Sequence, residues 1–361
     1  MIKVLVVDDS ALARKLLAQV FAAEADFEVQ VARDGFEALE QLKAFQPDVV
    51  TLDIHMPQMD GLACLDRIMI ERPTRVVMVS TQTAEGAETT LKALQLGAID
   101  FIAKPGGAMS LRIGEVAPEL VQKVRAAAGA KLRSSLRLKD RVRHRIGGGV
   151  SPARRPAPDA PAGTNAPAVA ATGDGLVLLG ISTGGPPALE ALLSALPADF
   201  PWPILVAQHM PATFTGPLAR RLDGLCAIGV KEVVRPTLLE PGCVYIGRGD
   251  ADLVVSRRPA GLTALAAPPL DYPWHPSTDR LVRTAMEQVA PSQLIGVLMT
   301  GMGDDGAAAM TDLHARGGRT IAEAAETAVV WGMPGELVKA GGADAVLPLD
   351  KIATHLRKMV P

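Results

Sequence analysis

The sequence predicts an α/β protein with doubly wound parallel sheets, divided into two domains. Three observations carry this expectation. The chain has 361 residues, more than a single compact domain usually holds. Short apolar runs alternate with stretches of helical periodicity, the pattern of parallel strands covered by helices on both faces. The runs lead, one after another, into residues with chemistry: Asp8-Asp9, Asp53, Ser80, Lys104, then Ser182, His209 and Asp305. In open parallel sheets, ligands gather at the carboxyl ends of the strands.

Composition narrows the possibilities. Hydrophobic residues make up 48% and charged residues 21%, so ordinary globular cores can form. Aromatics are only 3%, which argues against stacking platforms for single-stranded nucleic acid. A formal charge of −2 gives no global field to recruit nucleic acid or an anionic membrane. Cys64, Cys226 and Cys243 are scattered and form no CxxC, which fits a reducing compartment without a disulfide frame or zinc site. The opening MIKVLVVDDS meets acids too soon for a signal peptide. No apolar run approaches the roughly 20 residues of a membrane helix. The expectation is a soluble, cytoplasmic protein with no nucleic-acid partner and no direct membrane insertion.

In the first domain, residues 2–7 read as a buried strand ending at Asp8-Asp9, and residues 11–23 as a helix. Residues 27–31 make a second strand, 34–45 a helix, and 48–53 a third strand ending on Asp53. Residues 75–80 and 98–104 complete the series, closing on Ser80 and Lys104. Three carboxylates converging at strand ends would repel, so a hard divalent cation is their natural partner, with Mg²⁺ favoured. A lysine and a hydroxyl beside that cation suit a phosphoryl group. Taken singly, Asp8 or Asp9 reads more simply as a helix N-cap, but capping does not account for five such residues at successive strand ends.

The segments DDSALARKLL, VVTLDIHMPQMDGL, VVMVS and GAIDFIAKP resemble the response-regulator receiver family over about residues 1–125. The resemblance implies a flavodoxin-like, doubly wound parallel sheet with Asp53 as phosphoacceptor. It implies Mg²⁺ held by Asp9 directly, by Asp8 through water, by Asp53 and by the backbone carbonyl of His55. Ser80 and Lys104 would grip the phosphoryl oxygens, Phe101 would be the aromatic that rearranges, and a histidine kinase of the chemotaxis type would be the donor. Many receivers carry Glu or Asn where His55 stands.

Residues 126–174 change character. Lys131 to Arg145 carries seven basic residues against Asp140, either a solvated helix or a docking strip for an acidic partner. The stretch that follows lacks aromatics and is rich in Pro, Ala and Gly, the composition of a linker.

The second domain opens with the apolar run Leu176–Leu179, the turn Gly180-Ile181-Ser182-Thr183-Gly184-Gly185, and two prolines suited to a first helical turn. Leu189, Leu192, Leu193 and Leu196 then recur at helical spacing. Such a bend could present Ser182 as a nucleophile, with backbone N–H groups nearby for an oxyanion. A phosphate-binding turn or a plain tight loop fits this stretch as well. Two further strands, 202–207 and 294–299, run into His209 and into the loop carrying Asp304-Asp305. Serine, histidine and an acid at three strand ends are what a base-activated nucleophile needs.

LGISTGGP, AQHMPATFT, LMTGMGDDGA and VVWGMP resemble the catalytic domain of the CheB family of chemotaxis protein-glutamate methylesterases, over about residues 175–358. That resemblance implies that Ser182 attacks the γ-methyl ester of a chemoreceptor glutamate, that His209 moves the proton, and that Asp305 rather than Asp304 orients His209. The backbone N–H groups of Thr183 and Met302 would form the oxyanion hole, no cofactor would serve the esterase chemistry, and glutamine deamidation would share the intermediate. Residues 245–252 depart from the family pattern and 275–279 match it only in part; Glu323 and residues 331–334 are expected either to line or support the site or to have a purely structural role. The expected function is phosphorylation-activated methylester hydrolysis. A receiver-gated binding protein without turnover is the alternative, and a DNA-binding regulator lacks the basic helix-turn-helix it would require.

Overall fold

The computed structural model describes residues 1–80, 83–104, 109–132 and 175–361. The linker and the basic run beyond Leu132 lie outside the described residues. The first domain is a five-stranded parallel sheet built from β1 (Ile2–Val7), β2 (Phe27–Ala32), β3 (Val49–Asp53), β4 (Arg75–Ser80) and β5 (Asp100–Ala103), in the order β2-β1-β3-β4-β5. Five helices cover it: α1 (Ala11–Ala22), α2 (Gly35–Ala44), α3 (Gly61–Glu71), α4 (Ala84–Leu96) and α5 (Met109–Gly129). The strand order reverses between β1 and β3, so Asp8 and Asp53 stand over the crevice where ligands bind in such sheets. Neither Asp8 nor Asp9 caps α1; Ser10 does, accepting from the N–H of Ala13. The last helix continues to Gly129, past the boundary expected near residue 125.

The second domain is a seven-stranded parallel sheet in the order β15-β14-β13-β6-β7-β10-β8. Its strands are β6 (Leu176–Ile181), β7 (Ile204–Gln208), β8 (Gly229–Val233), β10 (Cys243–Gly247), β13 (Leu294–Leu298), β14 (Arg319–Glu323) and β15 (Ala345–Leu347). Helices α6 (Gly185–Leu193), α7 (Ala212–Asp223), α8 (Thr278–Gln288), α9 (Ala307–Ala315), α10 (Met333–Lys339) and α11 (Leu349–Met359) flank it. β6, β7 and β13 are buried along their whole length, which is why each reads as an unbroken apolar run. A small antiparallel sheet of β9 (Thr237–Leu238), β11 (Asp252–Arg258) and β12 (Gly261–Ala267) was not foreseen. β9 has only two residues, and β11 and β12 are buried in one unbroken block rather than at alternate positions, so no period of two marks them.

The domains share a core. Leu91 and Leu94 of α4 belong to the same apolar cluster as Phe214, Leu218 and Leu222 of α7. Phe101 of β5 packs on Phe214 with ring centroids 4.3 Å apart. Beyond α5, the N–H of Lys131 donates to the carbonyl of Val329 at 3.1 Å.

Candidate active site

Ser182 follows β6 directly and precedes α6, on the bend expected of it. The turn is closed by the N–H of Gly185 donating to the Ser182 carbonyl at 2.8 Å, and Ser182 N–H donates to Thr300 at 2.9 Å. Gly184 has φ of 76°, and a Cβ there would press on Val329 at 2.7 Å, so only glycine fits. Gly301 is constrained from the other side: a Cβ would stand 2.8 Å from that of Ser182 and 2.3 Å from the Met333 sulfur.

His209 emerges from β7 and Asp305 from the loop after β13. Nε2 of His209 lies 2.7 Å from Oδ2 of Asp305, while Nδ1 is buried and has no hydrogen-bond partner among the described residues. An ionised carboxylate can only accept, so Nε2 carries the proton and Nδ1 is the free base. Asp305 also accepts from the N–H groups of Thr278 (2.6 Å) and Asp279 (3.1 Å) and from the Ser277 hydroxyl (3.1 Å), at the N-terminus of α8. Burial alone would raise its pKa; His209 and these donors outweigh it and hold the carboxyl below its usual range. Asp304 is exposed and meets none of these groups. Among the described residues, the N–H groups of Thr183 and Met302 donate to no other group, as oxyanion donors must.

Ser182, Thr183, His209, Trp274 and Met302 line one cleft of about 610 Å³, and Pro118, Glu119, Gln122 and Lys123 of α5 form its other wall. The receiver therefore stands over the candidate nucleophile. Thr183 Oγ1 donates to Asp100 Oδ2 at 2.6 Å. Lys123 approaches Asp100 at 3.6 Å and Glu119 at 3.2 Å. Burial opposes the Lys123 charge, but these two carboxylates hold its pKa above the usual value.

Gln208 and Trp274 were not singled out in the sequence, whereas Glu323 and residues 331–334 were. The buried Gln208 amide donates to the carbonyls of Ser182 and His209, each at 3.1 Å, tying the two turns together. Trp274 stacks on His209. Glu323, fully buried, accepts from the N–H of Thr300 at 2.9 Å, and the Trp331 indole donates to the Glu323 carbonyl at 2.8 Å. Those two support the Thr300 turn rather than line the cleft.

In the receiver, carboxylate oxygens of Asp8, Asp9 and Asp53 lie within 4.8 Å of one another. Lys104 reaches Asp8 at 3.0 Å and Asp53 at 2.9 Å. Burial pushes the Asp53 carboxyl up against the pull of Lys104, and Asp8 adds to the rise. Three acids with one lysine leave surplus negative charge, so the donor set fits a hard, oxygen-seeking cation. His55 is exposed two residues beyond Asp53. Ser80 is buried; its hydroxyl donates to the Gly86 carbonyl (3.3 Å) and accepts from Thr90 (2.8 Å), both on α4. Phe101 is buried in the domain interface rather than at the surface.

Comparison with known proteins gives a consistent picture. The pattern of the CheB methylesterase family matches residues 177–356, and that of the response regulator receiver domain matches residues 4–113. A protein of Rhodopseudomonas palustris (strain BisB18) named protein-glutamate methylesterase/protein-glutamine glutaminase 2 is 58% identical over 98% of this chain and 96% of its own. A Rhodospirillum rubrum protein, number 3 of the same name, is 51% identical over 99% and 95%. The crystal structure of the Thermotoga maritima CheB methylesterase catalytic domain is similar with a TM-score of 0.50 and 38% identity, covering 52% of this chain and 98% of that one. No described helix is long and apolar enough to cross a membrane.

Proposed function

The chain belongs to the CheB methylesterase family and carries a response-regulator receiver domain ahead of the catalytic domain, and on that premise we propose how its own residues perform the reaction. It is a protein-glutamate methylesterase and protein-glutamine glutaminase of chemosensory adaptation. Ser182 Oγ attacks the side-chain carbonyl of a receptor glutamate methyl ester, and Nδ1 of His209 takes the hydroxyl proton. Asp305, bound to Nε2–H, stabilises the resulting imidazolium. The tetrahedral oxyanion accepts from the N–H groups of Thr183 and Met302. Collapse expels methoxide, which receives the proton from Nδ1 and leaves as methanol. Water then attacks the acyl-enzyme, giving its proton to the same nitrogen, and Ser182 is released with a free glutamate. From glutamine the leaving group is ammonia, and the later steps are shared.

The observation that carries this reading is the His209–Asp305 pair beside the Ser182 turn, with the second imidazole nitrogen left without a partner among the described residues. A receiver-gated binding protein has no use for that base. The test is methanol release from methylated chemoreceptors: wild type releases it and Ser182→Ala does not. Absence of release from the phosphorylated wild-type chain would overturn the reading.

Control comes from the receiver. Asp53 accepts a phosphoryl group from a histidine kinase of the chemotaxis type, in the cytoplasm. Mg²⁺ held by Asp8, Asp9 and Asp53, with the His55 carbonyl, would screen the acceptor's charge during transfer. Lys104 then binds a phosphoryl oxygen, and Ser80 leaves Thr90 and Gly86 to bind another. Movement of Ser80 and α4 disturbs the packing of Phe101 on Phe214, so the receiver moves off the cleft and admits a receptor helix.

A further inference from the structure

Trp274 has no task in the chemistry above, yet it lies against the base. Its ring stacks on the His209 imidazole with centroids 5.7 Å apart and planes 13° apart. Its indole nitrogen stands over Gly303, where an added Cβ would be 3.5 Å away. One side chain thus spans the space between His209 and the turn that carries Met302.

The loop bearing Trp274 is anchored on both sides. Asp252, fully buried, accepts from the N–H of Leu270 (3.3 Å), His275 Nδ1 (2.8 Å), the N–H of Ser277 (2.8 Å) and Arg280 Nη1 (2.7 Å). Arg280 Nη1 also donates to the Pro268 carbonyl at 2.6 Å. Burial opposes ionisation of Asp252, but His275, Ser277 and Arg280 hold its carboxyl below the usual range. A charged anchor of this kind fixes a loop that has no regular structure of its own.

His209 needs what Trp274 offers. Among the described residues its ring is held by one hydrogen bond, to Asp305, and Nδ1 has no partner. Nε2 lies close to the line of the Cβ–Cγ bond, so a hydrogen bond there only weakly restrains rotation of the ring about that bond. A parallel aromatic face opposes that turning. We propose that Trp274 is a positioning residue for ester hydrolysis: its indole, aimed by the Asp252 anchor, fixes the plane of the His209 imidazole and so keeps Nδ1 in one orientation for proton transfer. The inference rests on the esterase reading given above.

The test uses the full chain, phosphorylated with a small-molecule donor and Mg²⁺, and follows methanol release from methylated receptor. Trp274→Ala should lower kcat by about tenfold or more with KM unchanged, since misplaced catalytic groups cost rate. Trp274→Phe, which keeps an aromatic face, should recover most of it, whereas Trp274→Leu should not. The low-field proton resonance of the His209–Asp305 bond, recognised by its absence in His209→Gln, should broaden in the alanine and leucine chains and persist in the phenylalanine chain. Should the alanine chain fail to fold, leucine against phenylalanine carries the comparison. A rise in KM alone, or leucine and phenylalanine behaving alike, would overturn the positioning role. Ser182→Ala in the same assay separates the two levels: if it still turns over, the esterase reading fails instead.

Discussion

Thr183, the residue after the candidate nucleophile, donates its hydroxyl to Asp100 of the receiver at 2.6 Å, and Asp100 is the residue before Phe101. One hydrogen bond therefore joins the turn that would hold the oxyanion to the strand expected to respond to phosphorylation. Opening the enzyme requires this bond to break.

Removing it should release the enzyme. Asp100→Ala is expected to raise methanol release by the unphosphorylated chain by about tenfold, which takes only about 1.4 kcal/mol of a mostly closed population. A hydrogen bond to a charged group supplies roughly that much, about 1.5–3 kcal/mol. Initial rates at subsaturating receptor, without phosphodonor, decide the matter. A rate equal to wild type would mean that the bond does not hold the domains shut.

The adjacent acids separate cleanly. Ser182→Ala and His209→Ala should each remove several orders of magnitude in turnover from folded protein. Asp305→Asn should cost about 10⁴-fold, because an amide facing Nε2 favours the tautomer with its proton on Nδ1, the nitrogen that must act as base. Asp304→Asn should be mild. Steady-state kinetics with circular dichroism as a folding control would expose an error in the choice of acid.

Phosphorylation should act through Asp53 alone. Asp53→Asn is expected to keep the basal rate and lose the rise produced by a phosphodonor with Mg²⁺. Chelating the metal should abolish the response of the wild type while leaving basal hydrolysis intact. A response in Asp53→Asn equal to wild type would dismiss it as the switch.

Acid should loosen the cleft in a defined direction. Asp252 and Asp305 are both held below the ordinary carboxylate range, so each stabilises the fold above its unfolded pKa of about 3.9. That contribution is lost as pH falls through the lower folded values. Asp252→Asn leaves Arg280 without its buried partner and should cost about 3–5 kcal/mol near neutral pH. In denaturant titrations the gap between this variant and wild type should narrow as pH drops below about 4. A gap independent of pH would mean that the Asp252 charge contributes nothing.

Much of this was readable in the sequence. The central strands are buried on both faces and write themselves as apolar runs, and Asp8, Asp53, Ser182 and His209 mark their ends. Asp305 was separable from Asp304 only by resemblance; in space the difference is burial at the start of α8. Ser80 ends β4, where a strand end was expected, but one sequence does not tell whether its hydroxyl faces a phosphoryl group or Thr90. Trp274 sits in an aperiodic loop, and the donors that meet on Asp252 come from positions 270 to 280, so neither left a pattern. The Asp100–Thr183 pair joins residues of two domains across an intervening linker, beyond the reach of any local rule.

The apolar cluster that runs from α4 into α7 gives the switch a thermal character. Separating the domains hydrates Leu91, Leu94 and their partners, so opening carries a positive heat-capacity change. Near and below room temperature, apolar association weakens on cooling. The unphosphorylated enzyme should therefore leak more, relative to its fully released rate, in the cold than at moderate warmth, and adaptation in a chilled cell would start from a higher background of demethylation.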